Sequence, residues 1–104
     1  MRVMLDDCVP VRLKRWLPEH EVVTVTEVGW SGIKNGRLLR LLVDGGYEVL
    51  VTADKNLEYQ QHLAGFPLAI LVLPTNHWKS LQPHQARFIQ AFARLHAGKV
   101  THLD

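Results

Sequence analysis

Residues Glu48–Leu57 read EVLVTADKNL, and the fold turns on that stretch. Val49, Leu50 and Val51 form an unbroken apolar run that continues into Thr52 and Ala53. Gly45-Gly46 precedes the run, and the polar residues Asp54, Lys55 and Asn56 follow it. A short apolar run between turn signals predicts a strand over 48–53, buried on both faces as the strands of a parallel sheet are. Packing does not account for Asp54 at the carboxyl end of such a strand. In open α/β sheets that end is where ligands bind. The N-terminus repeats the pattern, with Val3-Met4-Leu5 followed by Asp6-Asp7. Two hydrophobic strands that each run out into acid are the principal functional signal.

Outward from these, residues 2–5 are the first strand and Asp6-Asp7-Cys8 its exit. Pro10 suits the first turn of a helix, where its missing N–H does no harm. Val9, Leu13, Trp16 and Leu17 share one face of that helix until Pro18 ends it. The β-branched segment Glu21–Thr26 predicts a second strand. Residues 27–34 form a loop that is long for a strand-to-helix connection. Asn35 suits the N-cap of a second helix, with the stripe Leu38, Leu39, Leu42 and Val43 and the stop Gly45-Gly46. After the 48–53 strand, residues 56–62 predict a short helix and 63–67 a turn. Leu68–Leu73, LAILVL, is another buried strand, broken by Pro74-Thr75-Asn76-His77. The last helix begins near Pro83, carries Ala86, Ile89, Phe92, Ala93 and His96 on one face, and ends at Gly98. Lys99–Leu103 closes the chain as an edge strand. The alternation predicts a single α/β domain over residues 1–104, three-layer α/β/α with a mostly parallel central sheet. The carboxyl ends of parallel strands share one edge, so Asp6, Asp7, Glu27 and Asp54 are free to converge.

The chain has 104 residues, 47% hydrophobic and 21% charged, which suits one globular domain with its own core. A net charge of +2 fits a nucleic-acid partner but is far from a basic arm. The single cysteine, Cys8, excludes an internal disulfide framework and fits a reducing compartment. No apolar run reaches membrane-spanning length, so no membrane association is expected. The N-terminus turns acidic too early for a signal peptide, and a cytoplasmic location is expected.

Carboxylates brought close together and left unpaired repel one another. A divalent cation removes that repulsion, and Mg²⁺ in particular takes hard oxygen ligands while keeping waters and room for a phosphate. Asp6, Asp54 and Asp7 are candidates to hold such an ion, which would polarise a phosphoryl group and activate a water. The bland alternative is that Asp6 or Asp7 caps the helix at Pro10.

The same residues carry a resemblance. Leu5-Asp6-Asp7-Cys8-Val9-Pro10, then Gly29-Trp30 with Lys34-Asn35-Gly36 and Leu38-Leu39, then Val51-Thr52-Ala53-Asp54-Lys55-Asn56-Leu57 occur in order and at similar spacings in the small PIN-like proteins of the DUF5615 type. Those are related to the toxin ribonucleases of bacterial toxin–antitoxin pairs, and the chain resembles them over residues 2–73. Their usual pattern is a strand ending Leu-Asp-Glu-Asn-Leu-Pro, an acid at the start of the second helix, and a strand ending Thr-x-Asp-x-Asp-Phe. The resemblance implies a PIN-like fold and a Mg²⁺- or Mn²⁺-dependent site that hydrolyses phosphodiester bonds, most often in RNA. It also implies a cognate antitoxin protein as partner. By position, Asp6 matches the first acid, Asp7 the neighbouring Glu and Asp54 the third acid. Asn35 stands where the second acid is expected and Asn56 where the fourth is. An amide oxygen ligates a metal but brings no negative charge. The implied site is therefore Asp6, Asp7 and Asp54 on the metal, with Asn56 assisting and Asn35 pointing toward it. The alternatives are a catalytically inactive PIN-like module that binds RNA or protein, and a receiver-like phosphoacceptor domain. The receiver pattern also has an acidic pair after the first strand and an Asp after the third, but Leu57 replaces its Met and no Lys follows a fifth strand.

Other residues have two readings each. Lys55 and Lys34 are candidate phosphate contacts or solvated lysines, as are Arg12, Lys14, Arg15, Arg37 and Arg40. Trp30, in a glycine-flanked loop, and Trp78 are candidates to stack on bases or to pack on the sheet. Trp16 belongs to the core. Tyr59-Gln60-Gln61 lines the pocket or forms a polar helix face. Glu27 supplies a missing carboxylate or is a solvated loop acid. The histidines have no zinc spacing and read as surface residues, and Cys8 reads as a small buried residue. Sticky edge strands make a homodimer the expected assembly.

Overall fold

The structure, a computed structural model, describes residues 1–57 and 66–103. The expected helix over 56–62 lies outside the described residues apart from its first two positions, and Tyr59, Gln60, Gln61 and His62 lie outside them altogether. Five strands form one sheet: β1 (Arg2–Leu5), β2 (Glu21–Thr24), β3 (Val49–Thr52), β4 (Ala69–Val72) and β5 (Val100–His102). Their order is β2-β1-β3-β4-β5. Every pairing is parallel, with Val3 opposite Val49 and Val49 opposite Ala69 in the centre. The sheet is thus parallel throughout.

β1, β3 and β4 are buried on both faces, as their uninterrupted apolar runs require. On one face Val3, Leu5, Val49, Val51, Ala69 and Leu71 pack against Leu13 and Trp16 of a 3₁₀ helix (Val11–Trp16) and against Phe88 and Phe92. On the other, Met4, Leu50, Ile70 and Val72 pack against Leu38, Leu39 and Leu42 of α1 (Asn35–Asp44). Each fully buried side chain of this size contributes about 1.5–3 kcal/mol relative to exposure. Phe88 and Phe92 lie on α3 (Gln85–Ala93), which follows α2 (Trp78–Leu81) and a short 3₁₀ turn, Gln82–His84. No described helix is long and apolar enough to cross a membrane.

The steps from β1 to β2 and from β4 to β5 run in opposite directions across the sheet, yet both connections pack on the same face. Parallel crossovers of opposite direction on one face have opposite hands. The β2-to-β3 connection, on the opposite face through α1, shares the hand of the first. The β4-to-β5 connection is therefore the odd one, where right-handed crossovers are the rule throughout.

Several expected elements are shorter or differently phased. The segment after Pro10 is a six-residue 3₁₀ helix, and Pro10 is its extended N-cap at ψ 134°. Pro10 and Pro18 bracket too few residues for more than one or two turns. β2 stops at Thr24 because Thr24 and Glu27 bond reciprocally. The Thr24 N–H donates to Glu27 Oε1 at 3.1 Å, and the Glu27 N–H to Thr24 Oγ1 at 3.1 Å. This is the exchange a capping box makes. Of the expected face Ala86, Ile89, Phe92, Ala93 and His96, Phe92 is buried, whereas Ala86, Ile89 and Ala93 of α3 and His96 beyond its end are exposed and Phe88 turns inward beside Phe92. The two phenylalanines bury more apolar area than the alanines, and they continue a helical stripe with Leu81.

Gly46 closes α1 in the left-handed region, at φ +78°. A Cβ there would lie 3.2 Å from Arg2 Nη1. That guanidinium is not free to retreat, since it donates to the Gly45 carbonyl and stacks 4.3 Å from the Tyr47 ring centroid. Gly46→Ala is expected to lower stability by about 1–2 kcal/mol, the cost of left-handed backbone at a residue with a Cβ. A urea midpoint measured beside the parent protein checks it.

Candidate functional site

The reversal of strand order between β1 and β3 is a topological switch point, and in such sheets the crevice outside the carboxyl ends is the ligand site. Asp6 leaves β1 there, its N–H donating to the Val51 carbonyl at 2.9 Å. Asp54 leaves β3 two residues after Thr52. Thr52 is the polar residue of the buried core, with 0% of its surface exposed. Its hydroxyl donates to Asp6 Oδ2 at 2.8 Å and accepts the Asp54 N–H at 3.1 Å. One buried hydroxyl therefore ties the two strand exits together.

Neutral donors occupy the remaining carboxylate oxygens. Asp6 Oδ1 accepts the Asp7 N–H at 2.8 Å. Asp54 Oδ1 accepts the Asn56 N–H at 3.0 Å, the local turn that aspartate favours. Asp54 Oδ2 accepts from Asn35 Nδ2 at 3.3 Å. Cys8 lies beneath them, half-buried, with Sγ accepting the Ala53 N–H at 3.3 Å. It also stands 3.6 Å from Thr52 Oγ1 and 3.8 Å from Asp6 Oδ2.

The four acids share the sheet edge but do not meet at one point. Asp7 turns toward the β2 exit, where Oδ1 accepts from Thr26 Oγ1 at 3.0 Å and Oδ2 from Ser31 Oγ at 2.8 Å. Glu27 pairs with Lys14, and the hydrogen bond from that ammonium holds its carboxyl below the usual carboxylate range. Among the described residues, no group of three or more His, Cys, Asp or Glu side chains is placed to hold a metal ion. Of the three carboxylates expected on the metal, Asp7 is directed to the β2 exit by Thr26 and Ser31, while Asp6 and Asp54 are linked through Thr52.

Asn35 is the first residue of α1, with Lys34 as its N-cap, rather than the cap itself. From that position its amide donates to Asp54. Lys34, Lys55 and Asn56 are exposed beside these exits. Trp30 is half-buried against the α1 face of the core, edge-on to Tyr47 with ring centroids 6.0 Å apart. Tyr47 precedes β3, so this contact points away from the strand exits. Trp78 packs on Trp16 at 5.1 Å, with the Arg12 guanidinium 6.0 Å from its ring.

Pro74–His77 breaks the strand 68–73, as its composition predicts. In the structure these residues line an open hollow of about 420 Å³ together with Cys8, Ala53 and Asp54. The signal was present: β4 is parallel to β1 and β3, so its exit must lie on the same edge. A second hollow, of about 340 Å³, lies on the β2 side between Asp6, Asp7, Lys14 and Glu27. Comparison with protein-family models, with curated proteins and with solved structures found no match to the chain.

Proposed function

We propose that the protein is a PIN-like, metal-dependent ribonuclease of toxin type, hydrolysing RNA phosphodiester bonds at the β1 and β3 exits and paired with an antitoxin protein. One observation carries the reading. Asp6, Asn35 and Asp54, which come from the three separate segments that bear the resemblance, are joined through Thr52 and the Asn35 amide into one cluster at the switch point.

The donor set fits a hard divalent cation. Asp6 and Asp54 offer four carboxylate oxygens, each accepting from a neutral donor, with Asp6 Oδ2 accepting from both Thr52 Oγ1 and Cys8 Sγ, against roughly four lone-pair sites on each carboxylate. Mg²⁺ is commonly held by one or two carboxylates plus waters and substrate phosphate. Asp6 and Asp54 would hold the ion, with the exposed Asn56 amide beside them. When bound, it supplies Lewis-acid polarisation of the phosphoryl group and a water of lowered pKa. The protein's own part is positional. Thr52 fixes the Asp6 carboxylate, Asn35 orients Asp54, and Lys55 and Lys34 offer exposed ammonium groups to the backbone of a polynucleotide.

A specific observation favours each of two rivals. The amide-to-carboxylate bond at Asp54 suits a module that binds RNA without cutting it. The strand order β2-β1-β3-β4-β5 suits a receiver-like phosphoacceptor, although the face taken by the β4-to-β5 connection does not. The deciding experiment is a Mn²⁺ titration with single-stranded RNA, comparing the parent with Asp54→Asn. Cleavage is expected to require metal and to fall at least about a hundredfold in the variant, since even outer-shell partners of a metal cost ten- to a hundredfold. RNA binding without metal-dependent cleavage overturns the nuclease reading in favour of the silent module. Labelling of Asp54 by acetyl phosphate overturns it in favour of the receiver.

A further inference from the structure

We infer that single-stranded RNA leaves the β1 and β3 exits over the layer formed by the 3₁₀ helix and α2, where Arg12, Arg15 and Lys79 hold its phosphates and Trp78 stacks on a base. That RNA is the ligand rests on the proposed nuclease function; the face along which it runs does not.

Charge is divided unevenly between the two layers that cover the sheet. The 3₁₀ helix, α2, the Gln82–His84 turn and α3 carry Arg12, Lys14, Arg15, Lys79 and Arg87 and no Asp or Glu. On the opposite face α1 carries Arg37 and Arg40 but ends in Asp44. Lys14 is paired with Glu27. Arg12, Arg15 and Lys79 are exposed, and among the described residues no carboxylate pairs with them. Side chains three apart eclipse in a 3₁₀ helix, so Arg12 and Arg15 stand in one row, about 6 Å apart along the axis. That is comparable to the separation of successive phosphates in an extended single strand. Cations clustered without acids among them attract a polyanion, and each phosphate they neutralise releases counterions.

The patch adjoins the strand exits at two points. Val11, the residue before Arg12, lines the hollow that holds Asp6 and Asp7. His77, the residue before Trp78, lines the hollow that holds Cys8 and Asp54. The two elements meet at Trp78, whose ring lies 5.1 Å from that of Trp16 and 6.0 Å from the Arg12 guanidinium. The second distance is at the outer limit of a cation–π contact, so Arg12 is not committed to the ring. Trp78 is half-buried, which leaves part of its indole open beside the cations. RNA bases stack on aromatic rings and on guanidinium planes, and an aromatic set among cations favours a single-stranded nucleic acid over an acidic polypeptide. The α1 face has no equivalent, because Trp30 turns to Tyr47 and away from the exits.

The test is filter binding of a short single-stranded oligoribonucleotide in EDTA at several salt concentrations, so that neither metal nor cleavage enters. The double variant Arg12→Gln, Arg15→Gln is compared with Arg37→Gln, Arg40→Gln, which removes the same charge from the other layer. All four arginines are exposed and glutamine is nearly as good a helix former, so both variants fold. Each phosphate contact on a single strand adds about 0.7 to the slope of log affinity against log salt, so the first variant is expected to lose about 1.4 of slope and about tenfold or more in affinity at low salt. The second is expected to lose less than half as much. Irradiation of an oligonucleotide carrying iodouridine is expected to cross-link Trp78. Equal losses in the two variants, or the larger loss from α1, overturn the assigned face and leave an RNA-binding protein standing. A cross-link at Trp30, or none, removes Trp78 from the path. Polyglutamate competing as well as RNA at equal charge assigns the patch to an acidic protein segment instead. A parent protein that binds no RNA at any salt sinks the RNA reading together with the patch.

Discussion

Asp6→Asn is expected to lower metal-dependent RNA cleavage by about two to three orders of magnitude, the range seen when a group that stabilises transition-state charge is removed. The substitution keeps the shape and removes the Asp6 charge from the β1 and β3 exits. The folding cost should be small beside that. The Asn oxygen can accept either from Thr52 or from the Asp7 N–H, where the carboxylate accepts from both. Losing one buried partner costs about 1–3 kcal/mol. A sign reversal separates the chemical effect from mere damage. In EDTA the variant should hold a single-stranded oligonucleotide at least as tightly as the parent, because one anion facing the phosphates is gone. In Mn²⁺ it should hold it more weakly, because the cation is no longer recruited. Filter binding under the two conditions decides the matter. A variant weaker in both has lost structure rather than a ligand, and one unchanged in both removes Asp6 from the site.

The central strands and the edge on which the acids gather were legible because they rest on robust regularities. The runs VML, VLV and AILV have no polar residue on either face, and only a doubly covered parallel sheet absorbs them. Once the strands are parallel, Asp6 and Asp54 must exit on the same side. What the sequence could not reveal was the direction of each acid. Asp6 and Asp7 are adjacent, yet one faces Thr52 and the other faces Thr26 and Ser31. Successive residues leaving a strand point in different directions, and the partner that captures each is remote in the chain. The same holds for Asn35. Its helix-start position suggested a cap, but capping is a local bond, and here a non-local carboxylate won the amide. Thr52 continues the strand in sequence, and a lone hydroxyl in a fully buried strand must find partners. Those partners are the two exits it joins.

The phase of α3 is the point at which periodicity alone misled, and it gives the largest expected change in stability. Phe88→Ala should destabilise the protein by about 3–5 kcal/mol, whereas Ile89→Ala should change it by less than about 1 kcal/mol. Phe88 is 0% exposed, edge-on to Trp16 at 5.3 Å and stacked with Phe92 at 6.1 Å. Its removal opens a cavity against the sheet face formed by Val49, Val51 and Leu71, and a parallel sheet pinned on its other face by α1 is poorly able to collapse into it. Ile89 is 46% exposed and contributes chiefly to helix propensity, which alanine improves. In a domain of this size each kcal/mol moves the melting temperature by about 4–8 °C, so Phe88→Ala should melt at least about 12 °C below the parent. Because α3 and the 3₁₀ helix share that face, and the 3₁₀ helix follows directly on Asp6-Asp7-Cys8, loosening Phe88 should also weaken Mn²⁺ binding near the melting range while leaving it unchanged well below. Calorimetry of both variants is decisive: comparable losses, or the larger loss at Ile89, would mean that the opposite face of α3 lies against the sheet.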